Sequence, residues 1–133
     1  MKIVIINGAY DLLHIGHLSL INFAKDQGDY LIVALDTDER IRESKGDDRP
    51  INDIHTRYQI MNNLKAVDEV VVFGSDQELK DVLVSSGADI RVIGSDWKGK
   101  RIVGEDLVPQ LIYFDRLDDR STTEIVNRIR RVL

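Results

Sequence analysis

The sequence predicts an α/β fold, with helices on both faces of a mainly parallel five-stranded sheet. Five short apolar runs alternate with segments whose apolar residues recur at helical spacing. Strands that alternate with helices are joined by right-handed crossovers, which produces a parallel, doubly wound sheet. A length of 133 residues suits one hydrophobic core. We therefore expect residues 1–133 to form a single domain.

The first part of the chain supplies two strands and the helix between them. Apolar runs at 2–6 and 30–35 are rich in β-branched residues and predict buried strands. Residues 16–27 carry apolar side chains at helical spacing, and Gly28 is expected to end that helix. The charged stretch 36–50 is expected to hold a short helix followed by a loop.

The rest of the chain continues the alternation. Its predicted elements are, in order, a helix at 52–65, a strand at 69–73, a helix at 76–86, a strand at 90–94, a strand within 107–114 and a final helix from about residue 121. Ser75 is expected to cap the helix at 76–86, and Gly87 is expected to end it. The charged, glycine-containing segment before the last strand predicts a loop.

Composition argues against several classes of protein. The chain has no cysteine, which excludes disulfides and thiolate metal sites. Its net charge of −5 is unlike the basic field of a nucleic-acid-binding protein. The apolar runs are shorter than a signal peptide or a membrane-spanning helix requires. These features predict a cytoplasmic protein with neither a membrane nor a nucleic acid as its partner.

Polar segments follow several of the predicted strands. In a parallel, Rossmann-like sheet, ligands bind beyond the carboxyl ends of the strands. The segments 7–17, 36–38, 94–100 and 115–122 all come after strands. We therefore expect them to meet at one edge of the sheet and to form a ligand site there.

The first of these segments, "NGAYDLLHIGH", contains two histidines at the start of a helix. His14 and His17 are three residues apart, so they are neighbours on the first turn. The helix N-terminus adds backbone N–H donors and a partial positive charge, and Gly16 lets an anion approach the backbone closely. This combination suits a site that stabilises charge developing on a phosphate.

A helix cap or a zinc site would account for the histidine pair less well. One histidine could simply cap the helix, which would leave the second histidine and the intervening glycine without a role. Zinc proteases place histidines four residues apart with a glutamate between them, and His14 and His17 have neither feature. The third histidine, His55, is most simply a surface residue.

"GAYDLLHIGH" resembles the G-x-[FY]-D-x-x-H-x-G-H signature of the cytidylyltransferase-like nucleotidyltransferases. These enzymes join a nucleoside triphosphate to a phosphorylated acceptor and release pyrophosphate. The resemblance implies that His14 and His17 are catalytic. We expect Mg²⁺ as cofactor, held mainly by the triphosphate rather than by side chains, as is usual for Mg²⁺ at phosphate sites. The resemblance also implies nucleotide contacts from Asn7, Gly8, Ala9, Tyr10, Asp11 and Gly16.

A second signature lies near the C-terminus. Arg116 followed by "STT" at 121–123 resembles the R-x-x-x-x-S-T-T motif of the same family. The resemblance implies that Arg116 is catalytic and that Ser121 and Thr122 bind the triphosphate. Ser121 and Glu124 also form a capping box, which would start the last helix without any ligand. The two interpretations are compatible, because a capped helix N-terminus also binds phosphate.

A third match, "GSDWKGK" at 94–100, is similar to a G-D-D-W-x-G-K segment of glycerol-3-phosphate cytidylyltransferases. It implies nucleotide contacts from Gly94, Asp96 and Trp97. From the residues alone, Trp97 is more easily interpreted as a core anchor than as a plate for a nucleobase.

The segment "KGDDRP" at 45–50 resembles heptose-1-phosphate adenylyltransferases more closely. It implies that Lys45 is a catalytic, phosphate-binding residue. The family pattern further implies that Asp38 and Arg57 contact the substrate, and that Arg57 also contacts the nucleotide. Without the resemblance, Lys45 and Arg57 would be equally well interpreted as solvated surface charges.

These matches leave the substrates open. We expect transfer of CMP from CTP, in preference to ATP, to a phosphorylated polyol or sugar such as glycerol 3-phosphate. The alternatives are a sugar-phosphate adenylyltransferase of the heptose-1-phosphate type and a regulatory homologue that binds nucleotide without catalysis. Ala9 and Leu117 replace threonines of the glycerol-3-phosphate enzymes, which bears on acceptor identity. A homodimer is implied by the resemblance alone.

Overall fold

Strands and helices alternate along the chain in the computed structural model, which describes residues 1–115 and 122–133. The strands are β1 (Ile3–Gly8), β2 (Tyr30–Asp36), β3 (Glu69–Phe73), β4 (Ile90–Gly94) and β5 (Gln110–Phe114). The helices are α1 (Ile15–Asp26), α2 (Asp38–Lys45), α3 (Ile54–Asn62), α4 (Asp76–Ser85) and α5 (Thr122–Val132). Short 3₁₀ turns at Ser95–Trp97 and Glu105–Leu107 lie between β4 and β5.

The five strands form one parallel sheet in the order β3-β2-β1-β4-β5. The chain builds outward from β1 through β2 to β3, then crosses back to place β4 on the other side of β1. The direction of winding therefore reverses between β1 and β4. Ligands bind at this kind of switch point, because the loops that follow the two strands diverge there and leave a crevice.

Alternate side chains of the central strand feed two separate cores. Val4 and Ile6 pack with Ile21 of α1 and Met61 of α3, and we call this side of the sheet the α1 face. Ile5 packs on the opposite side with Leu79 of α4, which we call the α4 face. Because helices cover both faces of the sheet, the apolar part of β1 is buried on both sides. The predicted doubly wound fold is confirmed.

Local hydrogen bonds set the ends of the helices. The Ser75 side chain accepts the Glu78 N–H at 3.1 Å and caps α4, as predicted. Gly28 follows the end of α1, as predicted, and also has a packing role. A Cβ atom there would lie 2.7 Å from the Lys2 carbonyl oxygen, so the absence of a side chain lets the end of α1 pass close to the start of β1.

The helix predicted at 52–65 begins and ends within those bounds, since α3 covers 54–62. Asp53 caps α3 by accepting the Thr56 N–H at 2.8 Å. In the described ranges, none of the helices is both long and apolar enough to cross a lipid bilayer.

Candidate active site

A cavity of about 780 Å³ opens at the carboxyl edge of the sheet. The predicted site residues that line it are Asn7, Gly8, Ala9, Tyr10, Asp11, His14, Gly16, His17, Lys45, Gly94, Asp96, Trp97 and Thr122. Arg116, Ser121 and Leu117 lie outside the described residues. The polar ends of β1, β2 and β4 and the start of α5 thus meet at one edge, as the sequence predicts.

The two histidines lie side by side at the start of α1. His14 is the N-cap, and its Nδ1 accepts the Gly16 N–H at 3.1 Å. Because Nδ1 is the acceptor, a neutral His14 ring carries its proton on Nε2. The ring centroids of His14 and His17 are 3.9 Å apart. The helix-capping role and a role in the cavity therefore belong to the same histidine.

The loop before the histidines has an uncommon backbone. Tyr10 and Leu12 both adopt φ near 49°, a left-handed conformation that costs energy for side chains of this size. The Tyr10 ring is buried and makes a T-shaped contact with the His17 ring, with 5.4 Å between centroids. A Cβ atom on Gly8 would come within 3.1 Å of the Tyr10 ring. Gly8 therefore leaves room for the ring that supports His17.

Asp11 joins three segments around the site. Its carboxylate accepts the backbone N–H groups of Ile51 at 2.7 Å and Asn52 at 2.9 Å. The Asp11 carbonyl oxygen accepts the Thr122 hydroxyl, which ties the start of α5 to the histidine loop. The Arg49 Nε lies 3.9 Å from the same carboxylate. Although Asp11 borders the cavity, its carboxylate is occupied by hydrogen bonds from backbone N–H groups. Asp11 therefore acts mainly by positioning neighbouring segments.

Arg57 is placed differently from the sequence prediction. It is 1% exposed and does not line the cavity. Its guanidinium donates to the carbonyls of Ala9 at 3.0 Å and Asp36 at 2.8 Å, and to the Asp38 carboxylate at 2.7 Å. Asp38 is also absent from the cavity lining. The structure thus places this pair beneath the site, where it holds the ends of β1 and β2 together, and the ligand contacts of Arg57 and Asp38 stay a prediction.

Lys45 and Arg49 bring positive charge to the cavity from the segment that follows β2. Lys45 is the last residue of α2 and is exposed. Arg49 is buried, and its Nη1 donates to the Thr123 hydroxyl at 3.4 Å. Arg49 was not among the predicted site residues, although it belongs to the "KGDDRP" segment that resembles the heptose-1-phosphate enzymes.

Trp97 forms part of the cavity wall beyond β4. It is 45% exposed, so the core-anchor interpretation of this residue is wrong. Lys100 lies over its ring, with Nζ 5.9 Å from the centroid. An exposed ring between glycines in a cavity can stack on a planar ligand such as a nucleobase.

On the α4 face, further charged residues line the cavity: Asp36, from the segment 36–38 that the sequence places at this edge, and Arg40 and Arg91, which the sequence did not predict. Asp36 accepts from Arg40 Nε at 2.9 Å, and Arg40 also bonds Asp76 at 2.8 Å. Arg91 is the second residue of β4 and is 2% exposed. Burial lowers the pKa of Arg91, and Glu105 opposes that shift. An arginine inside the apolar run "IRVIG" was the sequence signal that could have drawn attention to this side.

The raised pKa of Asp36 predicts an unusual pH dependence of stability. Burial raises the pKa of this carboxyl above its ordinary 3.8, against the opposing effect of Arg40. The folded wild type therefore loses stability as pH rises from 3.8 to the raised value, because it holds the proton more tightly than the unfolded chain. Asp36→Asn removes that loss. The measurement is denaturant titration at a series of pH values. We expect the difference in unfolding free energy, variant minus wild type, to increase as pH rises across this window and to stay constant above it.

Asp53→Asn is the matched control, with the opposite sign. The Thr56 N–H lowers the pKa of Asp53, so wild type gains stability as pH rises through the lowered value towards 3.8. Asparagine keeps the cap but not the charge. The variant-minus-wild-type difference should therefore fall over that window. Equal slopes for the two variants would contradict the assignment of Asp36.

Comparison with known proteins supports the family suggested by the motifs. The model of the cytidylyltransferase-like family matches residues 5–128. The chain belongs to this family, whose members are nucleotidyltransferases. The match covers both the histidine loop and most of α5.

Curated relatives resemble this chain along nearly its whole length. The bifunctional protein HldE of Helicobacter hepaticus is 41% identical over 130 residues, which are 98% of this chain and 27% of that protein. HldE of Wolinella succinogenes is 42% identical over 130 residues, with 97% and 27% covered. The chain thus spans about a quarter of the length of the curated relatives it matches.

Solved structures show the same fold. A lipopolysaccharide core biosynthesis protein from Thermoplasma volcanium superposes with a TM-score of 0.75 at 24% identity, covering 89% of this chain and 99% of that one. A putative nicotinate-nucleotide adenylyltransferase from Vibrio parahaemolyticus gives 0.58 at 18% identity, covering 99% and 89%. At these identities the likeness concerns the fold alone.

Proposed function

We propose that this domain is an adenylyltransferase that transfers AMP from ATP to a sugar phosphate of the heptose-1-phosphate type. The observation that carries the proposal is the His14–His17 pair, side by side at the N-terminus of α1 and bordering the cavity. The "KGDDRP" segment and the HldE relatives favour this hypothesis over CTP and glycerol 3-phosphate, which the sequence had suggested first.

The reaction needs one bond to form and one to break. A phosphate oxygen of the acceptor attacks the α-phosphorus, the bond from that phosphorus to the bridging oxygen breaks, and pyrophosphate leaves with the electron pair. A general base is unnecessary, because a phosphomonoester is largely ionised near neutral pH. His14 and His17 donate hydrogen bonds to the α-phosphate oxygens, where negative charge develops.

Cations around the cavity hold the remaining phosphates. Lys45 and Arg49 lie on the segment after β2, and Thr122 begins α5, whose N-terminus attracts anions. The described residues hold no group of three potential side-chain metal ligands. The carboxylates of Asp11 and Asp36 are engaged by protein donors. We therefore propose that Mg²⁺, when bound, would be held mainly by the triphosphate, whose negative charge it would neutralise.

Pyrophosphate release tests this function directly. The purified protein is incubated with ATP or CTP and with a sugar 1-phosphate panel or glycerol 3-phosphate, in the presence of Mg²⁺. We expect the largest kcat/KM with ATP and a heptose 1-phosphate. Greater activity with CTP and glycerol 3-phosphate would overturn the substrate assignment. Nucleotide binding without pyrophosphate release from any pair would instead support a regulatory homologue.

A further inference from the structure

Arg91 occupies a place where an aliphatic side chain would be expected. It lies on β4, between residues that feed the apolar core, and its side chain is on the α4 face. Its Nη1 donates to the Val103 carbonyl at 2.6 Å, and its Nη2 donates to Asn7 Oδ1 at 2.9 Å. Burying a guanidinium is costly unless its N–H groups are hydrogen-bonded and its charge is compensated. Arg91 also lines the cavity, and its buried Nε has no hydrogen-bond partner among the described residues.

The bond between Arg91 and Asn7 fixes the orientation of an amide. A guanidinium has donors only, so the Asn7 atom that faces it must be the oxygen. The Asn7 Nδ2, with its two N–H donors, is then directed away from Arg91. Asn7 borders the cavity at the end of β1. Arg91 therefore determines that Asn7 offers the cavity a hydrogen-bond donor rather than a hydrogen-bond acceptor.

The sides of the sheet suggest which substrate meets this donor. The His14–His17 pair begins α1, which covers the α1 face, whereas Asn7 and Arg91 lie on the α4 face. In an in-line displacement, the attacking and leaving oxygens are on opposite sides of the phosphorus. The proposed function places the α-phosphate at the N-terminus of α1 and the leaving phosphates towards that of α5, which leaves the α4 face for the attacking molecule.

The α4 face also carries a hydrogen-bond acceptor that complements the Asn7 donors. Asp36 is the last residue of β2, and it borders the same cavity while Arg40 holds its carboxylate in place. Asn7, at the end of the adjacent β1, offers donors, so a polyhydroxylated phosphate could bond to both. This pairing suits a sugar phosphate better than a purely anionic group.

We infer that the part of the cavity on the α4 face, bordered by Asn7, Asp36 and Arg91, binds the phosphorylated polyol acceptor. In this inference Arg91 is a positioning residue that presents the Asn7 N–H donors to the acceptor. The inference rests on the proposed function and reassigns Asn7 from the nucleotide to the acceptor. It concerns recognition of the acceptor, which is a different question from whether transfer occurs.

Asn7→Asp provides the sharper test, because the carboxylate keeps the bond to Arg91 but loses the N–H donors. With ATP saturating, we expect KM for the acceptor to rise about tenfold or more. The dissociation constant of a non-hydrolysable ATP analogue should stay within about twofold of wild type. Asn62→Asp, an exposed substitution on α3, is the matched control and should leave both constants unchanged.

Arg91 is tested by Arg91→Met and Arg91→Lys. Methionine fills similar space without donors and should raise the acceptor KM as Asn7→Asp does, while lysine, which can donate one bond to Asn7, should recover part of the loss. Arg42→Met, at an exposed site on α2, is the control. If Arg91→Met does not fold, the Asn7→Asp result decides.

The outcomes distinguish this inference from the proposed function. Weaker binding of the ATP analogue with an unchanged acceptor KM would overturn the acceptor assignment. Unchanged constants in folded Asn7→Asp would likewise overturn it. Absence of pyrophosphate release in the wild type would refute the proposed function, and acceptor binding to the α4 face would then be measured by calorimetry with the sugar phosphate alone. No binding there, or binding equal in Asn7→Asp, would refute the inference as well.

Discussion

Replacing His17 with alanine is expected to lower turnover about a hundredfold to a thousandfold, because one donor to a developing charge is lost. His17 stacks on His14 and is supported by Tyr10, so its position is fixed before substrate arrives. Such preorganisation is what makes a donor effective in the transition state. The measurement is kcat for pyrophosphate release, with circular dichroism to verify folding.

Alanine variants of His55 and His14 sharpen this test. His55→Ala removes an exposed histidine at the start of α3 and should leave turnover unchanged. His14→Ala should lower turnover and also stability, by about 0.5 to 2 kcal/mol, because His14 caps α1 through Gly16. Near-normal turnover in folded His17→Ala would show that His17 has no catalytic role.

Replacing Arg57 with methionine is expected to lower the free energy of unfolding by about 3 to 5 kcal/mol, the range for breaking a buried ion pair. Arg57 is 1% exposed and bonds to the Asp38 carboxylate and to the carbonyls of Ala9 and Asp36. Methionine leaves these acceptors without their donor. The measurement is equilibrium unfolding in denaturant at constant pH.

Arg42→Met is the matched control, since Arg42 is exposed on α2, and its effect on the free energy of unfolding should be within about 0.5 kcal/mol.

Measurements of stability and nucleotide binding on Arg57→Met also decide between two roles for Arg57. Unchanged stability with weaker nucleotide binding would favour the ligand contact that the family pattern implied. A large loss of stability, with normal nucleotide affinity in the fraction that remains folded, would favour the positioning role.

Much of the fold could be predicted because its signals are local. The apolar run that became β1 is buried on both faces, and such strands appear in a sequence as uninterrupted β-branched stretches. Ser75 was recognisable as a cap because the bond it makes, to Glu78, spans only three residues. The histidine pair was recognisable for the same reason, since its geometry is set within one helical turn.

Features that depend on segments far apart in sequence could not be predicted. The family pattern predicts ligand contacts for Arg57, and the structure shows protein partners that include Ala9, 48 residues away. Gly28 follows the end of α1 as predicted, but its close approach to Lys2 has no local signal. The core-anchor interpretation of Trp97 is wrong for a different reason, since the irregular turn at 95–97 leaves its ring 45% exposed and such turns have no periodic pattern.

The sequence by itself determined the alternation of strands and helices, the family motif and the edge of the sheet where the site would lie. Only the tertiary structure decided which charged residues border the cavity and which are used by the protein. Arg57 is buried away from the cavity and Lys45 borders it, although the sequence predicted the same kind of ligand contact for both. The physical reason is that burial and hydrogen-bond partners depend on distant segments brought together by the sheet, whereas periodicity and capping depend on neighbours in the chain.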